Sequence, residues 1–224
     1  MKTQAHQDYL KAIYAIEETH KWVTTSALSE HLGVRPSSVT SMIKKLNGAR
    51  PKLLDYKSHH GVSLTKAGRR IALDMLRRHR LLERFLVEMM GYGWDEVHDE
   101  AECLEHSVSD RFVDRLDELL EYPKRGPHGR PIPSKSGEVQ SVEEIRLSDA
   151  PLNETFTVSS VGSEETEFLK YLGDIGLIPN VGVKVLGADP TAGTLSIDIV
   201  AGQKHRRHVI GTQLAERIFV SEMT

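Results

Sequence analysis

A single cysteine, Cys103, stands in 224 residues. An internal disulfide is therefore excluded, no CxxC pair exists, and the usage agrees with a reducing compartment. Long apolar runs are also missing: no stretch approaches the roughly 20 residues of a membrane span. The opening MKTQAHQDYLKAIY lacks the charged, apolar, small-residue order of a signal peptide. A cytoplasmic protein with no membrane partner is expected. There is no Ser/His/Asp nucleophile setting and no phosphate-cradling glycine loop, so catalysis has little support. A di-metal carboxylate enzyme, the rival from another class, needs Glu-x-x-His on two helices, and Cys103 occupies the place three before His106.

What is present suits a soluble chain of one large or two to three small domains, 39% hydrophobic and 27% charged. A net charge of −3 would by itself argue against nucleic acid, but the charge is unevenly spread. Residues 1 to 75 carry 12 Lys and Arg against 6 Asp and Glu; residues 76 to 150 carry 11 against 17, and residues 151 to 224 carry 6 against 9. A basic end and an acidic middle point to different tasks.

The basic end holds a helix from about His6 to Glu18, with Leu10, Ile13 and Ile16 on one face and Asp8 in its first turn, where a carboxylate complements the helix N-terminus. TTSALSEHLGVRPSSVTSMIKKLNGARP, from Thr24, then reads as a helix-turn-helix. Thr25 or Ser26 can cap the first helix, Gly33 permits the turn, and Pro36 suits the first turn of the second. Val39, Met42, Ile43 and Leu46 point to a core, leaving Arg35, Ser37, Ser38, Thr40, Ser41, Lys44 and Lys45 to solvent. Small hydroxyls flanked by cations fit a DNA major groove, where Arg and Ser address base edges and Lys neutralises phosphates. LLDYKSHHGVSL, at 53 to 64, alternates as two short strands about a polar tip, the wing of a winged helix, with Lys57 and His60 placed for phosphate.

A long helix capped by Thr65 and running to about Met90, with Ile71, Met75, Leu82, Leu86 and Met89 in period, is halted by Gly91 to Gly93. On it, His79 and Glu83 share a face; on a second helix beginning near Asp95, Glu102 lies four after His98 and reaches Glu105 and His106. Three imidazoles and three carboxylates at helical spacing point to metal ligation, because aligned carboxylates repel unless a cation lies between them. The bland alternative is an exposed polar face. After Ser109, an N-cap, Phe112, Val113, Leu116, Leu119 and Leu120 form an apolar stripe, either core or the seam of a two-fold dimer. Residues 123 to 140 hold four of the nine prolines and three glycines, which suits a linker. From Leu147 the runs TFTVSSV, GVKVLG, TLSIDIV and RIFVSE, interrupted by one helix closed by Gly176, predict a small β-barrel-like module. Its basic KHRRH, at 204 to 208, reads as a solvated hairpin turn, with a weak accessory contact as the sharper alternative.

RPSSVT at 35 to 40, RHRLLERF at 78 to 85, GPHGRPIP at 126 to 133 and VHDEAECLEH at 97 to 106 together resemble the DtxR/MntR family of metal-dependent transcriptional repressors. The likeness covers the whole chain and implies a mainly α fold with a small β module. Its parts would be a winged helix-turn-helix at 1–74, a helical metal-binding and dimerisation domain at 75–140 with the Pro-rich linker from 123, and an SH3-like, FeoA-type domain at 147–224. The resemblance implies a homodimer that binds a palindromic double-stranded DNA operator and represses metal-uptake genes, the metal acting as co-repressor. It also implies a primary site of Asp8, Glu102, Glu105 and His106, tying the DNA-binding domain to the dimerisation helices, and an ancillary site of His79, Glu83 and His98 completed by Glu164 and Glu167. Where iron-type members carry Cys and Met, this chain has Glu102 and Asp8, as manganese-type members do. Mn²⁺ is therefore the expected cofactor, with Fe²⁺ the alternative and Zn²⁺, Co²⁺ or Ni²⁺ as substitutes in vitro. Lys11 stands where manganese-type members often carry a carboxylate, which favours two separated sites over a paired one. Cys103 lies off the ligand face and reads as packing.

Overall fold

The structure, a computed structural model, describes residues 3–223. It falls into two compact units, Met1–His79 with Pro133–Glu138 and Arg80–Ile132 with Val139–Thr224.

The first unit opens with α1 (Gln4–Glu17), α2 (Thr25–Leu32) and α3 (Pro36–Asn47), followed by the wing strands β1 (Leu54–Lys57) and β2 (Gly61–Leu64). Leu10, Ile13, Val23, Leu28, Val39, Leu46, Leu54 and Val62 close its core. The cap of α2 is Thr24, whose hydroxyl accepts the Ala27 N–H at 3.1 Å. This corrects the choice of Thr25 or Ser26, which already lie inside the helix. Gly33 adopts φ 62 at the turn and Pro36 opens α3, as the spacing predicts. Helix α1 starts at Gln4, not His6, so Asp8 lies in its second turn and the helix-terminus account of that carboxylate loses its force. The wing strands pair antiparallel, Leu54 with Leu64 and Lys57 with Gly61. Gly61 is required there: at φ 117, an added Cβ would come within 2.2 Å of the Val23 carbonyl oxygen.

Helix α4 (Lys66–Met90) contains the boundary between the units. In its first half Arg77 donates to the Pro133 carbonyl at 3.0 Å and Arg70 donates to that of Lys135.

In the second unit the rest of α4 packs with α5 (Val97–Glu105) and α6 (Asp110–Leu119) through Leu81, Leu82, Leu86, Val97, Ala101, Val113 and Leu116. Ser109 caps α6 by accepting the Phe112 N–H at 3.2 Å. The apolar stripe of α6 divides: Val113, Leu116 and Leu120 are buried, whereas Phe112 and Leu119 are about half exposed. The Pro-rich stretch is a packed loop rather than a free connector. Its Ile132 joins the helical core, its Gly126 N–H meets the Arg130 carbonyl at 2.9 Å, and Arg80 and Arg84 of α4 donate to the carbonyls of Pro131 and Arg125.

The β module contains β3 (Ile145–Arg146), β4 (Thr155–Val161), α7 (Thr166–Ile175), β5 (Gly182–Asp189), β6 (Thr194–Ala201), β7 (Lys204–Gly211), α8 (Thr212–Ala215) and β8 (Ile218–Glu222). Its strands run antiparallel in the order β3-β8-β4-β5-β6-β7. Val158, Leu169, Leu172, Val183, Ile197 and Val220 fill the space between sheet and helix. KHRRH is not a hairpin turn: it forms most of β7, paired with β6 from Ala201 opposite Lys204 to Thr194 opposite Gly211.

Candidate metal centre and DNA-reading surface

The acidic middle of the chain folds into a cluster of carboxylates and imidazoles. Glu83 projects from α4, and its Oε1 lies 4.0 Å from Nδ1 of His98 on α5. The same His98 nitrogen stands 3.4 Å from Glu164, while its Nε2 stands 3.9 Å from Glu102, one turn further along α5. Glu164 lies in the loop before α7. Its neighbours hold it: Arg217 pairs with Glu165 at 2.8 Å and donates to the hydroxyl of Ser163. At the end of α5, Glu105 and Nε2 of His106 are 3.4 Å apart, and the carboxylates of Glu102 and Glu105 lie within 4.8 Å of one another.

Burial gives these distances their weight. Glu83 and Glu105 are 2% and 1% exposed. A carboxylate so far out of water is costly unless compensated by charge or hydrogen bonds. Imidazoles beside them supply part of that compensation, and a divalent cation would supply more. Oxygen and imidazole donors without thiolate therefore fit a hard or borderline metal ion. Cys103, read from the sequence as packing, is exposed and joins no such cluster among the described residues.

Sequence reasoning missed His128. This residue of the packed Pro-rich loop is 4% exposed; its Nδ1 lies 3.4 Å from Glu83 and its Nε2 hydrogen-bonds the Trp94 carbonyl at 2.7 Å. Backbone contacts fix the loop, because the Val161 N–H donates to the His128 carbonyl at 2.9 Å. Gly129 at φ 81 lets the chain pass close to β4, where an added Cβ would come within 2.1 Å of the Ser159 carbonyl oxygen. Burial alone would lower the His128 pKa; the hydrogen bond and charge of Glu83, with smaller contributions from the Trp94 carbonyl and Glu164, outweigh it and raise the pKa above its ordinary value. The lone histidine of GPHGRP was the available signal, hidden by its proline and glycine neighbours.

The remaining expected ligands lie as follows. His79 is buried on α4, one turn before Glu83, and Asp8 is partly buried on α1. Glu167, exposed in the first turn of α7, joins none of the candidate metal groups among the described residues. In the first unit, Arg35, Ser37, Ser38, Thr40, Ser41, Lys44 and Lys45 are all exposed on or beside α3. The Thr40 hydroxyl donates back to the Pro36 carbonyl at 3.0 Å. On the wing, Lys57 lies over the Trp22 ring at 5.7 Å, and His60 lies 6.4 Å from that ring.

An exposed basic helix with a wing, joined to a second unit containing buried metal-type donors, has a counterpart among known proteins. Three family models cover the chain: iron dependent repressor, N-terminal DNA binding domain, at residues 1–62; iron dependent repressor, metal binding and dimerisation domain, at 65–134; and FeoA domain, at 145–222. The chain belongs to the DtxR/MntR family. It is thus a metal-dependent, DNA-binding transcriptional repressor and not an enzyme, with DNA and a second copy of itself as partners. Within the family it is 36% identical over 155 residues to the HTH-type transcriptional regulator MntR of Oceanobacillus iheyensis, a match covering 69% of this chain and 98% of that one. To the iron-dependent repressor IdeR of Mycobacterium leprae it is 29% identical over 189 residues, 79% of this chain and 81% of the other. A solved manganese-dependent transcriptional repressor in complex with manganese superposes with a TM-score of 0.89 at 41% identity, covering 97% of this chain and 100% of that one. ScaR with bound Cd²⁺ superposes at 0.83 with 34% identity, covering 97% and 99%. No helix among the described residues is long and apolar enough to cross a membrane.

Proposed function

We propose that this repressor responds to Mn²⁺ in the cytoplasm and silences metal-uptake genes by binding a palindromic operator as a homodimer. The observation that carries the reading is the donor set: buried Glu83 and Glu105 face imidazoles, and no thiolate stands among them. Oxygen-rich sites with imidazole suit Mn²⁺ or Fe²⁺, while Zn²⁺, Co²⁺ and Ni²⁺ substitute in vitro by affinity order.

Two ligand sets are proposed. Glu102, Glu105 and His106, with Asp8 carried over from the family pattern, form the regulatory set; His79, Glu83, His98 and Glu164 form the ancillary set, with exposed Glu167 its weakest member. A bound divalent cation supplies the positive charge that reconciles these carboxylates. Glu102 and Glu105 offer oxygens from consecutive turns of α5, and His106 adds a nitrogen at its cap. Glu83 also orients the imidazole of His128, whose other nitrogen is held by Trp94. Operator and metal must tighten each other's binding by one common factor, whatever structural change links them. In the dimer the two α3 helices read half-sites about one DNA turn, or a multiple of it, apart.

The similarity to IdeR favours Fe²⁺ as a second reading. Electron paramagnetic resonance of free Mn²⁺ tests the assignment: the signal is expected to fall on adding protein, Glu105→Ala removing one class of site and Glu83→Ala the other. A signal unchanged by wild-type protein would overturn the manganese reading. A signal abolished equally well by both variants would overturn the ligand sets.

A further inference from the structure

We infer that strand β7 is a second, sequence-independent contact for the phosphate backbone of DNA. This rests on the family's DNA binding but assigns a surface outside the winged helix. Residues 151 to 224 carry only six Lys and Arg, and three of them, Lys204, Arg206 and Arg207, stand within four consecutive positions that also hold His205 and are followed by His208. The module is otherwise acidic, so the concentration is local. Lys204, His205, Arg206 and Arg207 are all exposed.

The fold explains how so much charge can stand on a strand. β7 pairs only with β6, and no strand covers its other side among the described residues. Lys204 and Arg206 alternate with His205 and Arg207, so cations leave both faces of the sheet beside an edge whose outward backbone N–H groups are also open. Residues two apart on one face are separated by about 6.6 Å, a spacing comparable to that of successive phosphates on a DNA strand.

Protection against edge-to-edge pairing is the simplest alternative, but a single charged residue is enough to achieve that. Three cations and two imidazoles in sequence exceed it. Among the described residues, one of these groups is committed to a close carboxylate: His205 Nδ1 meets Asp198 at 2.8 Å. Arg207 lies opposite that same Asp198 in the ladder, which leaves Lys204 and Arg206 as the groups freest for an external anion. Duplex DNA is the polyanion this chain already holds, and the tether between its parts raises the local phosphate concentration at β7.

The test is operator and non-operator DNA binding by the full-length, metal-loaded protein across a range of KCl concentrations, comparing wild type with Lys204→Gln/Arg206→Gln. Arg207 is kept in this variant so that Asp198 retains its neighbour; a charge-preserving Lys204→Arg/Arg206→Lys protein controls for packing. Each lost phosphate contact should lower the magnitude of the log affinity against log salt slope by about 0.9. The double variant should therefore lose slope and lose affinity for both DNAs by the same factor, with the charge-preserving protein unaffected. An unchanged slope and affinity would overturn the inference, as would an equal loss in the charge-preserving variant or a loss confined to the operator.

Discussion

Residues assigned to DNA on α3 lie in solvent, whereas those assigned to metal on α4 and α5 are largely buried. The two regions use polar side chains in opposite ways. On α3 the fold is secured by Val39, Ile43 and Leu46, and the exposed Arg35, Ser37 and Lys44 are available for a partner. On α4 and α5 the ligand candidates are themselves interior: His79, Glu83 and Glu105 occupy positions where an apolar residue would ordinarily pack. Substitution on α3 should therefore affect function alone, while substitution in the cluster should affect both function and stability.

Glu105→Ala presses hardest on this contrast. It should abolish metal-dependent operator binding, a loss of at least about 100-fold, on the order of 3 kcal/mol, while the dimer persists. Anisotropy with labelled operator and sedimentation together check it; unchanged affinity in Mn²⁺ would remove Glu105 from the site. Arg35→Ala comes next, lowering operator affinity by about 1–3 kcal/mol if it addresses a base edge but moving stability by less than about 0.5 kcal/mol. A large loss of stability would show that this face of α3 is not a free surface.

His128→Ala should cost about 1–3 kcal/mol of stability, because it leaves the buried Glu83 without one of its partners. Denaturant titration of the metal-free protein measures this, and an unchanged midpoint would place His128 outside the cluster's energetics. The pH dependence divides the cluster from itself. A raised His128 pKa means that its stabilising contribution is complete below the ordinary histidine value near about 6.5 and is lost as pH rises through the higher folded value. Metal-free protein should thus weaken toward alkaline pH, and Glu83→Gln should flatten that fall. The metal response should run the other way, weakening on acidification if the proposed imidazole ligands His79, His98 and His106 hold the metal, because a ligating imidazole must be neutral. The smallest effect is expected from Thr24→Ala, about 1 kcal/mol for the lost α2 cap; the double change Thr25→Ala/Ser26→Ala should cost less.

The same contrast explains what could be read from the sequence. The winged helix was legible because its signals are local: Gly33 for the turn, Pro36 for the first turn of α3, and two alternating runs about Lys57 to Gly61. The proposed ligands on α4 and α5 rest on helical spacing, which places Glu102, Glu105 and His106 on consecutive turns of one helix. His128 was not legible, since nothing in GPHGRP has a period and its partner Glu83 is 45 residues earlier in the chain. β7 was mistaken for a turn because five consecutive polar residues mimic a solvated loop; on an edge strand, cations are tolerated on both faces. The division of the α6 stripe, Val113 inward and Phe112 outward, depends on where neighbouring helices end. The exposed half suits the dimer seam that the stripe had left open.

The most direct measurement is binding to the promoter of a metal-uptake gene from the same genome, titrating Mn²⁺, Fe²⁺ and Zn²⁺ against a chelated control at fixed salt. Salt is held constant because phosphate contacts dominate affinity. Binding that requires metal, with Mn²⁺ effective at the concentrations that fill the Glu105 site, is the predicted result. Equal binding by the chelated protein would contradict the account, and the buried carboxylates of α4 and α5 would then need a purely structural explanation.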